Sequence, residues 1–273
     1  MSMVMHRTFE GAAYKQGRFS PAQRELAEET AVAISCNGSS HAVLMATPAD
    51  LDDLVIGFSL AERLVSSVDE IEDINRLDCE RGIDMQVRFV SDVAGKLAER
   101  RRSMVGPVGC GLCGIESLDM AMRDIEPVSA ELCLSPEQIA NAVHMLTKQQ
   151  VLNFKTRSVH AAGWYHPTRG LVAAREDVGR HNALDKLIGA LAKRGEHIAS
   201  GAIVMTSRLS IELVQKAAVA GCGMIISISA PTAIAVELAD KANITLATVV
   251  RDEDFELLTH PQRVAGGGEH HVA

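Results

Sequence analysis

The sequence predicts an α/β fold in which a large α/β/α domain with a mainly parallel sheet follows a smaller N-terminal α+β domain. The main observation is the alternation of strand and helix patterns between residues 201 and 250, where the strands are uninterrupted apolar runs. Such strands are typical of parallel sheets covered by helices on both faces. A second observation is a hairpin pattern near the start, with short apolar runs on both sides of Asn37-Gly38.

Changes in these patterns divide the chain. The predicted segments are a flexible leader (1–28), a small α+β domain (29–102), a mobile Cys-x-x-Cys loop with a linking helix (103–128), the large α/β domain (129–264) and a disordered tail (265–273). The leader and the tail are assigned from their polar or glycine-rich composition.

The small domain begins with the predicted hairpin, formed by strands at 32–36 and 41–45. Thr47 is predicted as the N-cap of a helix with Pro48 at its first position, because both residue types favour helix starts. Residues 83–89 alternate between apolar and polar side chains, which predicts a strand buried on one face.

The large domain begins at Ser135, where a capping-box pattern predicts a helix start. Two strands are predicted between 156 and 174 and a helix over 182–194, followed by strands at 201–206, 224–229 and 244–250. Ligands of parallel sheets bind at the carboxyl ends of the strands. Ser207 and Arg208 follow the first of these strands, so they are candidates for binding an anion there. Ordinary helix capping is the alternative explanation.

A second polar cluster spans residues 175–186 and is dense in ionisable groups. Arg180 and His181 lie in it, directly after Gly179 and at the predicted start of a helix. This arrangement favours an anion or the edge of a nucleotide. A solvated loop is the alternative.

Composition excludes several classes of protein. The 273 residues carry a formal net charge of -8, which argues against a general nucleic-acid binder. No apolar run reaches the ~18 residues of a transmembrane helix, and the first residues lack the apolar core of a signal peptide. Six cysteines in a chain of this length do not form a disulfide scaffold. We therefore expect a cytoplasmic protein without membrane insertion.

Cys110 and Cys113 form a Cys-x-x-Cys motif among four glycines, shortly after three arginines at 100–102. The positive charge favours thiolate over thiol. The motif fits half of a zinc site, a dithiol redox site or a sulfur carrier that holds a persulfide. A zinc site needs two further ligands, and the sequence has no second Cys-x-x-Cys. The four remaining cysteines are scattered singly and are expected to be small core residues.

Several motifs in order resemble the FdhD family of formate dehydrogenase accessory sulfurtransferases over residues 28–264. They are Gly109-Cys110-Gly111-Leu112-Cys113-Gly114, the run from Glu176 to Lys186, Thr206-Ser207-Arg208, Ser229-Ala230-Pro231-Thr232 and Thr259-His260-Pro261-Gln262-Arg263. The resemblance implies transfer of sulfur from a cysteine desulfurase to the molybdenum cofactor, bis-molybdopterin guanine dinucleotide, before this cofactor enters the catalytic subunit of formate dehydrogenase. It further implies a homodimer, and a guanine nucleotide would mimic the cofactor.

By this resemblance Cys110 carries the persulfide, and Cys113 assists or resolves it. The resemblance also places cofactor contacts on Val249, Val250, Arg251, Asp252, Glu253 and Asp254. The last three are acidic and unsuited to a pyrophosphate. They are therefore expected to contact the guanine edge or to leave the contact to backbone amides, whereas Arg180, Arg208 and the helix N-termini would bind the phosphates.

The family's large domain is similar to the cytidine deaminase fold. Zinc deaminases use a His-x-Glu motif and a Pro-Cys-x-x-Cys motif. Here His160 is followed by two alanines, and no cysteine pair follows Thr206, so neither zinc nor deaminase activity is expected. Two alternatives to the sulfurtransferase remain, a non-catalytic cofactor-binding chaperone of formate dehydrogenase and a dithiol redox protein.

Overall fold

A computed structural model of the chain describes residues 4–90, 93, 125–129 and 131–270, and Cys110 and Cys113 lie outside them. The strands in these ranges are β1 (His6–Lys15), β2 (Arg18–Ala27), β3 (Thr30–Cys36), β4 (Ser39–Ala46), β5 (Ile71–Cys79), β6 (Gly82–Phe89), β7 (His160–His166), β8 (Gly170–Asp177), β9 (Ala202–Met205), β10 (Met224–Ser227), β11 (Thr245–Arg251) and β12 (Asp254–Thr259). The α-helices are α1 (Leu51–Ala61), α2 (Pro136–Gln149), α3 (Val151–Thr156), α4 (Arg180–Lys193), α5 (Ile211–Val219) and α6 (Ala233–Lys241).

The predicted flexible leader forms a β-hairpin instead. β1 and β2 pair antiparallel from His6↔Ala27 to Lys15↔Arg18. Gln16 and Gly17 have φ of 50° and 81°, the conformation of a tight hairpin turn. The rings of Tyr14 and Phe19 contact each other at a centroid distance of 4.9 Å. The prediction was wrong because cross-strand pairing stabilises a segment whose composition alone is polar. The predicted disordered tail likewise begins with a short 3-10 helix, Gly267–His270.

A four-stranded sheet of order β4-β3-β6-β5 forms the first unit together with α1. The predicted hairpin and the strand at 83–89 are confirmed as β3, β4 and β6. Thr47 does not cap α1, because the residue before that helix is Asp50. The Thr47 hydroxyl instead accepts a hydrogen bond from the backbone N–H of Val178 at 3.1 Å. Thr47 therefore joins the two units, which a local pattern could not indicate.

The second unit contains a six-stranded sheet of order β12-β11-β10-β9-β7-β8. Strands β9, β10 and β11 are parallel, as predicted, but the other three pairings are antiparallel. The sheet is thus mixed rather than mainly parallel, because β7–β8 and β11–β12 are joined by direct hairpins. One consequence is that the first residue of β7, His160, lies at the edge where the parallel strands end.

Helices cover both faces of this sheet. Core residues of α4, α5 and α6 pack on one face with Ile203, Ile225 and Leu246. Core residues of α2 pack on the other with Val204, Ile226 and Ala247. The capping box predicted at Ser135 is confirmed, since its hydroxyl accepts from the Gln138 N–H at 3.3 Å and the Gln138 side chain accepts in return from the Ser135 N–H at 2.9 Å.

The two units meet where α1 crosses α4, at two glycines. A Cβ atom added to Gly57 would lie 1.7 Å from the Asp185 carbonyl oxygen, and one added to Gly189 would lie 2.0 Å from the Asp53 carbonyl oxygen. Only hydrogen fits at either position, so the helix backbones touch.

Buried ion pairs surround this helix contact. The Lys186 Nζ, which is fully buried, lies 2.6 Å from an Asp177 carboxylate oxygen and donates to the Thr47 carbonyl at 2.9 Å. The Arg175 guanidinium lies 2.7 Å from Asp53. The Lys216 Nζ lies 2.9 Å from Asp185 and 3.0 Å from Glu62. Each of these three clusters includes a residue of both units, and each buried charge has an opposite partner.

Candidate functional site

The candidate site lies at the carboxyl ends of β9, β10 and β11. The loops that follow β9 and β10 are joined, since the Thr232 N–H donates to the Leu209 carbonyl at 3.0 Å and the Leu209 N–H donates to the Ala230 carbonyl at 3.4 Å. Helices α5 and α6 begin directly after this junction, at Ile211 and Ala233, with Ser210 and Thr232 as their N-cap residues. Their N-termini therefore start side by side at the sheet edge.

His181 brings the N-terminus of α4 to the same edge. Its Nε2 atom lies 3.3 Å from the Ser210 hydroxyl and 3.8 Å from the Glu212 carboxylate. Both contacts use one ring nitrogen, so this is not the serine–histidine–acid relay of hydrolases. Burial lowers the pKa of His181, and the positive charge of Arg180 lowers it further. The imidazole is consequently neutral at pH 7.

The positive charge of Arg180 lowers the pKa of two histidines, His181 and His160. Burial lowers the pKa of His160, and Arg180 again adds to the effect. The Arg180 Nε atom is buried and has no hydrogen-bond partner in the part of the chain that the structure describes. A buried donor of this kind is suited to an oxygen acceptor from a ligand. The predicted pair of Arg180 and His181 thus lies in the candidate site, together with His160, which the sequence analysis considered only as a lost zinc ligand.

The helices at this edge lack the side-chain caps found elsewhere. No side chain caps the first turn of α4, α5 or α6. By contrast, Ser135 caps α2, and the Glu176 carboxylate accepts from the N–H groups of Leu152 and Asn153 at the start of α3, both at 2.8 Å. Uncapped N-termini carry a partial positive charge and favour anions. The start of α1 is uncapped as well, and Glu212 in the first turn of α5 offsets part of the positive charge of α5.

The residues predicted from the resemblance are dispersed around this edge. Ser207 is buried, and its carbonyl accepts from the Ser227 hydroxyl at 2.8 Å, whereas the side chain of Arg208 is exposed. Val249 has φ of 55°, an unusual conformation for a β-branched residue, at a bulge where β11 loses register with β12. Val250 is buried in the core on the α2 face.

The acidic stretch forms the turn between β11 and β12, at the carboxyl end of β11. Arg251 pairs with Asp254 across a tight turn that holds Asp252 and Glu253, and all three acidic residues are exposed. The Arg251 guanidinium donates to the carbonyls of Ile228 and Val250, so it joins two loops.

The opposite edge of the sheet has a cavity of about 880 Å³. It is lined by Arg63 after α1, by residues 125–129 and 131–132, and by residues that precede β9 and follow α5, including His197 and Ser200. No pattern in the sequence indicates this cavity. It lies where the chain returns from the segment that contains the two motif cysteines.

Within the described ranges, no group of three His, Cys, Asp or Glu side chains is arranged to hold a metal ion. None of the helices there has the length and apolar character needed to cross a bilayer.

Comparison with known proteins gives a single family over nearly the whole sequence. The FdhD/NarQ family matches residues 27–265. The chain belongs to the FdhD/NarQ family. Membership was predicted from the motifs and is confirmed.

Two relatives in this family are named sulfur carrier protein FdhD. The protein from Agrobacterium fabrum is 48% identical over 260 residues, which cover 95% of this chain and 96% of the relative. The protein from Cupriavidus necator is 46% identical over 259 residues, covering 95% and 90%. A solved structure described as a formate dehydrogenase accessory protein from Desulfotalea psychrophila superposes with a TM-score of 0.76 at 25% identity, covering 96% of this chain and all of that one. The mixed α/β architecture is therefore shared within the family.

Proposed function

We propose that this chain is a sulfur carrier for formate dehydrogenase. Cys110 would accept sulfur from a cysteine desulfurase and pass it to bis-molybdopterin guanine dinucleotide held at the carboxyl edge. The observation that supports this most is the meeting of three uncapped helix N-termini with the partnerless Arg180 Nε. This arrangement is suited to a ligand rich in phosphate.

Loading follows thiol–disulfide chemistry. The Cys110 thiolate attacks the outer sulfur of the persulfide on the desulfurase, a new sulfur–sulfur bond forms, and the desulfurase cysteine leaves as a thiolate. In delivery, an electron pair of the acceptor attacks the outer sulfur, the sulfur–sulfur bond breaks, and Cys110 leaves as a thiolate, so that the acceptor is oxidised by two electrons. Cys113 would assist or resolve the persulfide.

Chain length permits this transfer. Cys110 lies 15 residues before Ile125, a tether that spans at most about 50 Å when extended. Ile125 lines the cavity at the opposite edge of the sheet. The intervening strand β9 has four residues, or about 13 Å, so the tether is long enough to reach the carboxyl edge.

The test is intact-mass analysis after incubation with a cysteine desulfurase and cysteine. We expect one reductant-labile sulfur on the wild type and on Cys133→Ala, and none on Cys110→Ala. Cys133 is a suitable control because it is free and exposed. The prediction of four core cysteines is thus wrong for Cys133 and Cys79 and confirmed for Cys36 and Cys222. If no form gains sulfur, the chain is a cofactor-binding chaperone instead. If a Cys110–Cys113 disulfide forms reversibly and both cysteines are equally required, it is a dithiol redox protein.

The proposal includes a homodimer. The β1–β2 hairpin leaves three aromatic side chains exposed, namely Phe19 (75%), Tyr14 (63%) and Phe9 (47%). The hairpin contacts α3, where the Arg24 guanidinium donates to the Thr156 carbonyl at 3.2 Å, but its aromatic side chains stay exposed. A second copy packed on these side chains would account for their exposure. Sedimentation velocity should give a dimer for the wild type and a larger monomer fraction for Phe19→Ser; a monomeric wild type contradicts it.

A further inference from the structure

Two threonine hydroxyls at the carboxyl edge are left without partners. The Oγ1 atoms of Thr232 and Thr248 are buried, and neither makes a hydrogen bond within the described part of the chain. Thr248 is 0% exposed. A buried hydroxyl without a partner destabilises a fold, so such a group calls for an explanation, and an absent ligand supplies one.

The position of Thr248 in β11 gives the direction of its side chain. Ala247 packs in the core beneath α2, whereas Leu246 packs in the core with α5 and α6. Side chains alternate between the faces of a strand, so Thr248 is directed to the face that carries α5 and α6. It follows Ala247, the last residue of β11 that pairs with β10, and therefore lies at the end of the parallel ladder.

Thr232 occupies the same edge at the start of α6. It is the N-cap residue, yet its hydroxyl does not cap the helix, although capping is the usual role of threonine there. The first turn of α6 has no acidic residue. The positive end of this helix is therefore not neutralised by an acid of its own first turn.

We infer that Thr232, Thr248 and the N-terminus of α6 form an anion subsite for a phosphate ester. Both hydroxyls and the first N–H groups of α6 would donate to phosphate oxygens. The inference rests on the proposed function and deepens it, because it assigns the pyrophosphate of the dinucleotide to this subsite. Arg208 lies in the adjoining loop, two residues before the Ser210 cap, and its exposed guanidinium adds positive charge there.

This assignment explains how an acidic stretch can lie beside a phosphate ligand. Asp252 and Glu253 occupy the turn beyond β11, outside the subsite, whereas Thr248 precedes the bulge in that strand. The phosphate contacts are then neutral hydroxyls and backbone amides rather than the carboxylates.

The test is calorimetric titration of the full chain with GDP, guanosine and inorganic pyrophosphate. For Thr232→Val and Thr248→Val we expect GDP to bind roughly tenfold more weakly, the loss typical of one hydrogen bond to a charged group, while guanosine binding is unchanged. Thr245→Val is the matched control. Its hydroxyl, at the other end of β11, bonds to the His260 carbonyl at 3.2 Å, so that variant should lose stability and keep its GDP affinity.

The outcomes separate the subsite from the proposed function. If GDP binds the wild type and both Thr→Val variants with equal affinity, the proposed threonine subsite is rejected, whereas binding of a guanine nucleotide by this chain is supported. If pyrophosphate binds at the two threonines but GDP does not bind, the subsite stands and the dinucleotide is excluded. If neither binds the wild type, both are overturned. Melting temperatures of the Thr248→Val protein equal to or above the wild type would show that weaker binding does not come from unfolding.

Discussion

Two regions of the molecule differ in how their buried polar groups are paired. One is the contact between α1 and α4, and the other is the carboxyl edge of the sheet. At the helix contact, Lys186, Asp177 and Thr47 form a closed set of hydrogen bonds. At the carboxyl edge, Arg180 Nε and two threonine hydroxyls have no partner in the described part of the chain. The first region uses polar groups to hold the fold together. We propose that the second keeps its polar groups available for a ligand.

Removal of one partner at the helix contact should have the largest effect. Lys186→Met leaves the buried Asp177 carboxylate without its cation, and we expect the free energy of unfolding to fall by about 3–5 kcal/mol. Urea denaturation would measure it. Lys193→Met is the control, because that lysine is 46% exposed and Asp53 keeps Arg175, so its effect should stay below about 1 kcal/mol. Equal losses in the two variants would contradict the distinction.

A methyl group at the helix contact should have the next largest effect. Gly189→Ala pushes a Cβ atom into the backbone of α1, and overpacking of this kind costs about 1–3 kcal/mol. Gly195→Ala has open space for its Cβ but a φ of 64°, so it tests backbone strain without the clash. Thermal unfolding of both variants compares the two; a smaller loss for Gly189→Ala would mean that the helices separate at little cost.

Hydroxyl removal at two helix starts tests the comparison directly. Ser135→Ala breaks the capping box of α2 and should cost about 1 kcal/mol. Thr232→Val removes a hydroxyl that caps nothing and should leave stability unchanged or slightly raised. Chemical denaturation of both variants gives the answer. A similar loss at Thr232 would show that its hydroxyl already has a role in the folded chain.

The smallest expected effect concerns pH. Because burial and Arg180 lower the pKa of His160 below its ordinary 6.5, the unfolded chain binds a proton below pH 6.5 that the folded chain does not. The unfolding free energy should therefore fall as the pH drops from 6.5 towards the lowered pKa. His160→Gln should flatten this dependence in denaturation series between pH 5 and 7.5. An unchanged slope would show that His160 titrates normally.

Asp185 acts in the opposite direction and has to be separated from that series. Burial raises its pKa to about 6, despite Lys216, so the folded chain binds the extra proton between pH 3.8 and 6. This contribution declines as the pH rises through that window. Comparison of His160→Gln with the wild type cancels it, because both proteins retain Asp185.

Local patterns predicted the elements that local physics determines. The capping box at Ser135 and the alternation from β9 to β11 follow from spacing that adjacent residues supply. The errors at Thr47 and in the leader share a cause, because both depend on contacts between separate parts of the chain. The Thr47 hydroxyl bonds to Val178, more than a hundred residues away, and β1 is stabilised by pairing with β2. Strand β12 was not predicted for a similar reason. It contains two acidic residues, Asp254 and Glu256, and it is a strand because it pairs with β11.

The candidate site was predictable in its position but not in its chemistry. The rule for carboxyl ends of parallel strands indicated Ser207 and Arg208 from sequence. The polar cluster at 175–186 separately indicated the start of α4. Two features of the site depend on distances between loops, which local patterns do not determine. The Arg251 guanidinium donates to two backbone carbonyls, and the hydroxyls of Thr232 and Thr248 have no partner in the described part of the chain. The positions of Cys110 and Cys113 remain predictions from sequence.

The touching glycines of α1 and α4 also determine how the chain denatures. Gly57 and Gly189 are 132 positions apart, and Ala61 of α1 belongs to the apolar core of the second unit. Separation of the two units would therefore expose apolar surface to water. The two sheets therefore belong to one cooperative transition rather than two.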